Sequence, residues 1–277
     1  MTFIDVHMHT GRLMVGRVPA TPEILLAKMD ELGIEKSVLL AVETPEELDF
    51  YVPTTEILKV CAQHPDRFIP FCSVDPRHRY PGHFDPMPIL EEYVAQGCKG
   101  FGEFLVGLPI NSRLSQVIYR ACGKLGLPIM LHMDHWIGRD KLGLPGLERM
   151  LKRFPDTVFI GHGPHFWAEI SAEMRPEYRS GYPKGPVVPG GALDRLLTEY
   201  PNLYADISAG SGNNGLARDP EYARDFVTRH QDQVLFGTDF LMPGQAVPQV
   251  DTLRSLNLDP AVFAKVARQN AARILKV

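Results

Sequence analysis

The chain has few cysteines and no pairing pattern among them. Only Cys61, Cys72, Cys98 and Cys122 occur in 277 residues, and no two stand as Cys-x-x-Cys. That argues against a thiolate metal site and a disulfide framework, and fits reduced, buried thiols in a cytoplasmic protein. An excess of one charge is also missing. Lys and Arg number 29 against 33 Asp and Glu, a net charge of −4. Nothing therefore points to nucleic acid or an anionic membrane as partner. No apolar run approaches the length of a bilayer span. The N-terminus enters a strand pattern at once, so no signal peptide is expected. A glycine-rich phosphate turn is absent after that first strand, which runs instead into His9-Thr10-Gly11-Arg12. The usual fingerprint of a dinucleotide-binding sheet is therefore lacking.

What is present begins with Phe3-Ile4-Asp5-Val6-His7-Met8-His9. Apolar and polar residues alternate, which makes a strand with one face carrying a carboxylate and two imidazoles. Such a face is costly to bury unless something pairs with the imidazoles. A divalent metal does so, since neutral imidazole ligates zinc and its neighbours. Two ordinary surface histidines on an edge strand are the plain alternative.

Further β-rich runs begin near Lys36, Phe68, Lys99, Pro128, Thr157, Leu203 and Gln233. They recur at roughly 30-residue intervals with helical spacing between them, the rhythm of βα units in a parallel sheet. Glycines at 33, 97 and 126 suit left-handed helix caps, and Pro65, Pro155 and Pro201 stop other helices. Runs such as Val158-Phe-Ile160 fit strands covered on both faces. Eight strands and eight following helices predict an α/β fold of the (β/α)8 TIM-barrel type, one domain over 1–277. A doubly wound open sheet is the competitor. The interval between strands six and seven is longer than the rest. Its insertion, Met174 to Gly191, suits a lid, a subunit contact or an inert loop.

Polar residues fall at the C-terminal ends of these strands: Glu103, His132, His162, Asp206 with Ser208, and Asp239. In a barrel those ends meet at one mouth, where active sites of this fold lie. With His7 and His9 they form a set that zinc, manganese or iron accepts. His64, His78, His83, His165 and His230 sit in plainer contexts, and His135 is open to either reading.

The pattern resembles the amidohydrolase superfamily, and most of all its amidohydrolase-related (amidohydrolase 2) branch. Asp5-x-His7-x-His9, His132, His162 and Asp239 match the family motif position by position, and Gln269-Asn-Ala-Ala-Arg-Ile-Leu275 resembles its closing helix. The resemblance implies metal binding by His7, His9, His132 and Asp239. His162 becomes a ligand of a second metal or a catalytic group. Many binuclear members carry a carboxylated lysine on strand four. Here that strand end holds Glu103, and Lys99 lies at its wrong end. Some members place a bridging Glu there, so one or two ions are expected, zinc first and manganese or iron as alternatives.

The branch contains hydrolases, lactonases, hydratases and decarboxylases. A metal with an open position lowers the pKa of water toward neutrality. Asp239 is then the candidate base, and His162 or the metal polarises the carbonyl. This describes hydrolysis of an amide, ester or lactone in a small, acidic or cyclic molecule. Decarboxylation of a small aromatic or unsaturated acid is the alternative, and a non-catalytic metal-dependent binding protein the third reading. Asp5 and Asp206 are expected just outside the ligands, Asp5 on the same strand face as the histidines and orienting one. Arg12, Arg17, Arg77 or Lys184 could clamp an acidic substrate. Trp136 and Trp167 could wall an aromatic one, or simply pack. Assembly into a homo-oligomer stays open.

Overall fold

The computed structural model describes residues 2–46, 48–79, 83–179 and 181–277. Eight parallel strands form one sheet in sequential order: β1 (Phe3–Met8), β2 (Ile34–Leu39), β3 (Phe68–Cys72), β4 (Gly100–Phe104), β5 (Ile129–His132), β6 (Phe159–His162), β7 (Leu203–Asp206) and β8 (Val234–Leu235). The expected strand starts fall within two residues of these. β8 is short, and the barrel closes through the segment after it. Val6 N donates to Phe236 O (3.0 Å), Asp239 N to His7 O (2.8 Å) and His9 N to Phe240 O (3.0 Å).

Helices follow the strands as expected: α1 (Pro22–Leu32), α2 (Thr54–Gln63), α3 (Met87–Ala95), α4 (Arg113–Leu125) and α5 (Pro145–Arg153) after β1 to β5. The β6–β7 connection holds α6 (Pro164–Ala168), α7 (Pro176–Arg179) and α8 (Ala192–Glu199). After β7 come α9 (Ala209–Ala217) and α10 (Pro220–Arg229). After β8 come α11 (Gln249–Ser255), α12 (Pro260–Ala264), a π-turn over Lys265–Gln269 and α13 (Asn270–Leu275). α1 and α4 end at Gly33 and Gly126 in the left-handed conformation, and Gly97 adopts it one residue past the α3 cap.

Strand side chains divide between two apolar clusters. Phe3, Leu39, Phe101, Leu131, Phe159 and Phe236 pack outward against helix residues such as Leu25, Ile57 and Leu147. Ile4, Val38, Ile69, Met130, Ile160 and Leu235 form the inner cluster. Ala271 and Leu275 of α13 join that inner cluster. The C-terminal Val277 borders a cavity of about 290 Å³ with Lys36, Pro70 and Lys99, at the N-terminal ends of the strands. The last helix thus covers the floor of the barrel.

The simple alternation expected of β1 does not hold. Its pairing with β2 shifts between Asp5 and Met8. Ile4 and Val6 belong to the inner cluster while Met8 belongs to the outer one. A bulge of this kind re-aims side chains beyond it. Asp5 therefore does not share a face with His7 and His9.

Candidate metal centre

His7 sits at the middle of the mouth and is fully buried. Its Nδ1 lies 2.8 Å from Asp206 Oδ2. The carboxylate fixes the proton on Nδ1 and leaves the Nε2 lone pair free to bind. That Nε2 is 3.1 Å from His9 Nε2, 3.3 Å from Glu103 Oε2 and 3.4 Å from Asp239 Oδ1. His9 Nε2 is 3.1 Å from Glu103 Oε2 and 3.5 Å from Asp239 Oδ1. Four tetrahedral ligands about 2.0–2.2 Å from a metal lie roughly 3.3–3.6 Å from one another. Among the described residues, two triplets have donor atoms within 4.8 Å of each other: His7, His9 and Asp239, and His7, Glu103 and His162.

Glu103 lies between two pairs of histidines. Oε2 faces His7 and His9, while Oε1 is 2.9 Å from His132 Nδ1 and 4.0 Å from His162 Nε2. Burial opposes its charge, but the surrounding His7, His132 and His9 hold it well below the usual carboxylate range. Burial likewise opposes a charged His7, yet Asp239, Glu103 and Asp206 outweigh it and raise the imidazole well above its ordinary value. Among the described residues, Glu103, Asp206 and Asp239 pair with histidines and with no Lys or Arg. Buried carboxylates without a fixed cation are expensive. This donor set fits a divalent ion, with neutral imidazoles and carboxylates as ligands.

Asp206, at the end of β7, supports the centre from behind. Its Oδ2 also lies 3.2 Å from His162 Nδ1, and its Oδ1 accepts from Ser208 N (3.0 Å). Burial works against its ionisation, but the bonds from His162 and His7 keep it well below the carboxylate range. The close approach requires glycine at 237, where a Cβ would fall 2.2 Å from Asp206 Oδ1. Trp167 is buried and donates Nε1 to Asp206 O (2.7 Å). It braces the strand end and does not wall the mouth, whereas Trp136 stands exposed.

Other expected residues lie elsewhere. The Asp5 carboxylate accepts from His7 N (2.9 Å), Thr238 N (3.0 Å) and Thr238 Oγ1 (2.6 Å). It stitches β1 to the segment after β8 instead of orienting an imidazole, as the bulge dictates. Burial raises it to about 7. His132 stands outside both triplets, with Nδ1 on Glu103 and Nε2 3.3 Å from Asp134 Oδ2. Arg12 lies over the Phe50 ring at 4.1 Å and Arg77 is tied to Asp75 and Glu46, so neither is presented as a free clamp. Arg17 and Lys184 are exposed. His165, set aside in the sequence, is buried behind the site, where burial and then the Arg179 charge lower it to about 4.

Two contributors, Asp134 and Thr238, were missed, and Ser208, named only as a strand-end residue, proves to touch the site. Asp134 bonds His132 and caps the loop by accepting from Trp136 N and Ile137 N (both 2.6 Å), and sits at about 2 because these bonds outweigh burial. Its spacing of two from His132 was a usable signal. Ser208 Oγ lies 2.9 Å from His162 Nδ1. Thr238 binds Asp5, a contact across 233 positions that no local pattern shows.

An amidohydrolase family model matches residues 4–277. The chain belongs to the amidohydrolase family. No curated protein matches it. Solved structures similar in fold include a TIM-barrel protein from Bordetella bronchiseptica, at 18% identity and TM-score 0.69 over 100% of this chain and 99% of that one. A probable 2-pyrone-4,6-dicarboxylic acid hydrolase from Acinetobacter baumannii, with citric acid bound, aligns at 14% identity and TM-score 0.64 over 100% of both chains. A dihydroxybenzoic acid decarboxylase from Polaromonas sp., with manganese and 2-nitroresorcinol bound, aligns at 16% identity and TM-score 0.60 over 99% and 97%. This amidohydrolase is accordingly a metal-dependent enzyme acting on a small molecule. No helix among its described residues is long and apolar enough to cross a membrane.

Proposed function

We propose that this amidohydrolase hydrolyses an amide, ester or lactone bond of a small molecule, using two divalent ions, zinc foremost. The observation that carries the reading is Glu103, whose two oxygens face different histidine pairs. A carboxylate placed so suits a bridge between ions, and two-ion sites stabilise both the attacking and the leaving oxygen in hydrolysis. Ions held by His7, His9, Glu103, His162 and Asp239 would lower the pKa of water toward neutrality.

The residues divide the remaining work. Asp206 holds the protons of His7 and His162 on Nδ1 and points each Nε2 into the mouth. Asp239 is the open carboxylate: its side chain is 18% exposed against 5% for Glu103 and 0% for Asp206. Its φ of 54° lies in the left-handed region, which Asp tolerates better than most residues. Asp239 accepts the proton of the attacking water and returns it to the leaving group. His162 Nε2, 3.9 Å from Asp239 Oδ2, faces the same space with its lone pair, as a ligand.

One observation favours decarboxylation instead. His132, held by Glu103 and Asp134 outside the triplets, could protonate a carbon. The decarboxylase similar in fold makes that reading concrete. A zinc- or manganese-loaded sample incubated with lactones, esters, amides and aromatic acids separates the two. The proposal expects ring-opened or cleaved acids with no carbon dioxide; release of carbon dioxide from an aromatic acid overturns it.

A further inference from the structure

The β6–β7 insertion is pinned on both sides of its tip. Arg179, buried, donates Nη1 to Asp140 O (2.7 Å) and Nη2 to Lys141 O (3.1 Å), with Glu169 Oε1 3.2 Å away. Beyond the tip, Asn214 Nδ2 donates to Pro183 O (3.2 Å), Val187 N to Asp219 Oδ2 (2.9 Å) and Val188 N to Ser171 Oγ (3.0 Å). Between these anchors stands Tyr182. Its ring lies on Gly210, where a Cβ would fall 2.8–2.9 Å from Cε2, Cζ and the hydroxyl oxygen. Gly210 is two residues past Ser208, which touches His162 and His7. Asp239 is near enough that its charge adds to burial in raising the phenol, which stays a donor. The residue is also 55% exposed.

Apolar side chains are also exposed on the loops that leave the mouth. Of the large hydrophobic side chains exposed among the described residues, all but Val277 lie in segments that leave the mouth, Tyr51, Trp136 and Tyr178 among them. Exposed aromatic and aliphatic side chains at the mouth, above polar strand ends, suit a substrate with an apolar body and oxygens at one end.

We propose that Tyr182 is the residue through which the insertion contacts the substrate, its hydroxyl donating a hydrogen bond to an oxygen of a bound aromatic acid or ester. The proposal takes the position of the substrate from the hydrolytic site above, but not the reaction. An oxygen held by this phenol is held alike whether the bond broken is an ester or a carbon–carbon bond.

The test uses dihydrocoumarin for turnover and its ring-opened hydroxyaryl acid for binding, on the metal-loaded full chain. Calorimetry gives Kd of the acid for the parent, Tyr182→Phe, Gly210→Ala and the double variant, with metal content and Tm alongside. One hydrogen bond corresponds to a rise in Kd of about 3- to 10-fold for Tyr182→Phe. Gly210→Ala displaces the ring and weakens binding similarly, and the double variant binds no worse than the weaker single one. Metal content stays at the parent value. If the acid binds in a Tyr182-dependent way while the lactone is not opened, Tyr182 stands without support from the hydrolase reading. Equal Kd in the parent and Tyr182→Phe overturns the proposal. So does a parent that binds no acid at millimolar concentration.

Discussion

At the floor of the barrel, Ile4, Val38, Ile69, Met130, Ile160 and Leu235 fill the interior and α13 covers them. At the mouth, the strand ends and the segments just past them fill the same interior with His7, His9, Glu103, His162 and Asp206. Both ends are buried, and the difference is chemical. The floor is stabilised by removing apolar surface from water, at about 25 cal/mol per Å². The mouth desolvates carboxylates and imidazoles, which costs several kcal/mol per ion unless charges balance. The floor can hold itself together, whereas the mouth fits its burial only with a cation present. Fold and site are therefore separable by mutation.

The largest effect is expected for Asp239→Asn. The variant keeps shape and an oxygen ligand but no longer accepts a proton. Loss of a general base costs about 10²–10⁴ in rate. We expect kcat to fall by at least that much while most of the metal stays, read from kinetics beside metal analysis. Near-parent turnover with full metal moves the base to His162 or Glu103.

The floor answers in the opposite way. Phe71 is fully buried, with its ring against Gly100. Phe71→Ala should cost about 3–5 kcal/mol of stability. Urea denaturation measures it, and the folded fraction should keep its metal. A loss of metal without a loss of stability would break the separation.

Asp5 sharpens the boundary between the two ends. Burial holds it at about 7, above the ordinary 3.8. The folded state therefore keeps a proton that the unfolded chain has released, and the contribution is full below pH 4. It is lost as pH rises from about 4 to about 7. In metal-free protein, Asp5→Asn should flatten the fall in stability across that window, by a few kcal/mol at most. A parent whose stability rises with pH there, with Asp5→Asn unchanged in slope, contradicts the account.

Much of this was legible in the sequence because barrels repeat a local grammar. The apolar runs of β2, β5 and β6, the glycine caps and the strand-end polar residues each carry their own signal. The rest depends on contacts between distant segments. The β1 bulge is set by pairing with β2 and the segment after β8, so Asp5 could not be separated from His7 and His9 by alternation. Trp167 follows a strand as Trp136 does, yet one is buried on Asp206 and the other exposed. Arg77 is neutralised by Glu46, 31 positions away. Tyr182 carries no motif, and only its seat on Gly210 marks it.

The central claim is a two-ion centre with Glu103 between the pair His7 and His9 and the pair His132 and His162. Its most direct test is the divalent-ion content per chain of the parent, His9→Ala and His7→Ala, measured by elemental analysis after loading and desalting. We predict about two ions in the parent, weakened retention of one in His9→Ala, and loss of that one in His7→Ala. A parent that retains no ion, or a His7→Ala variant that retains as much as the parent, contradicts the account.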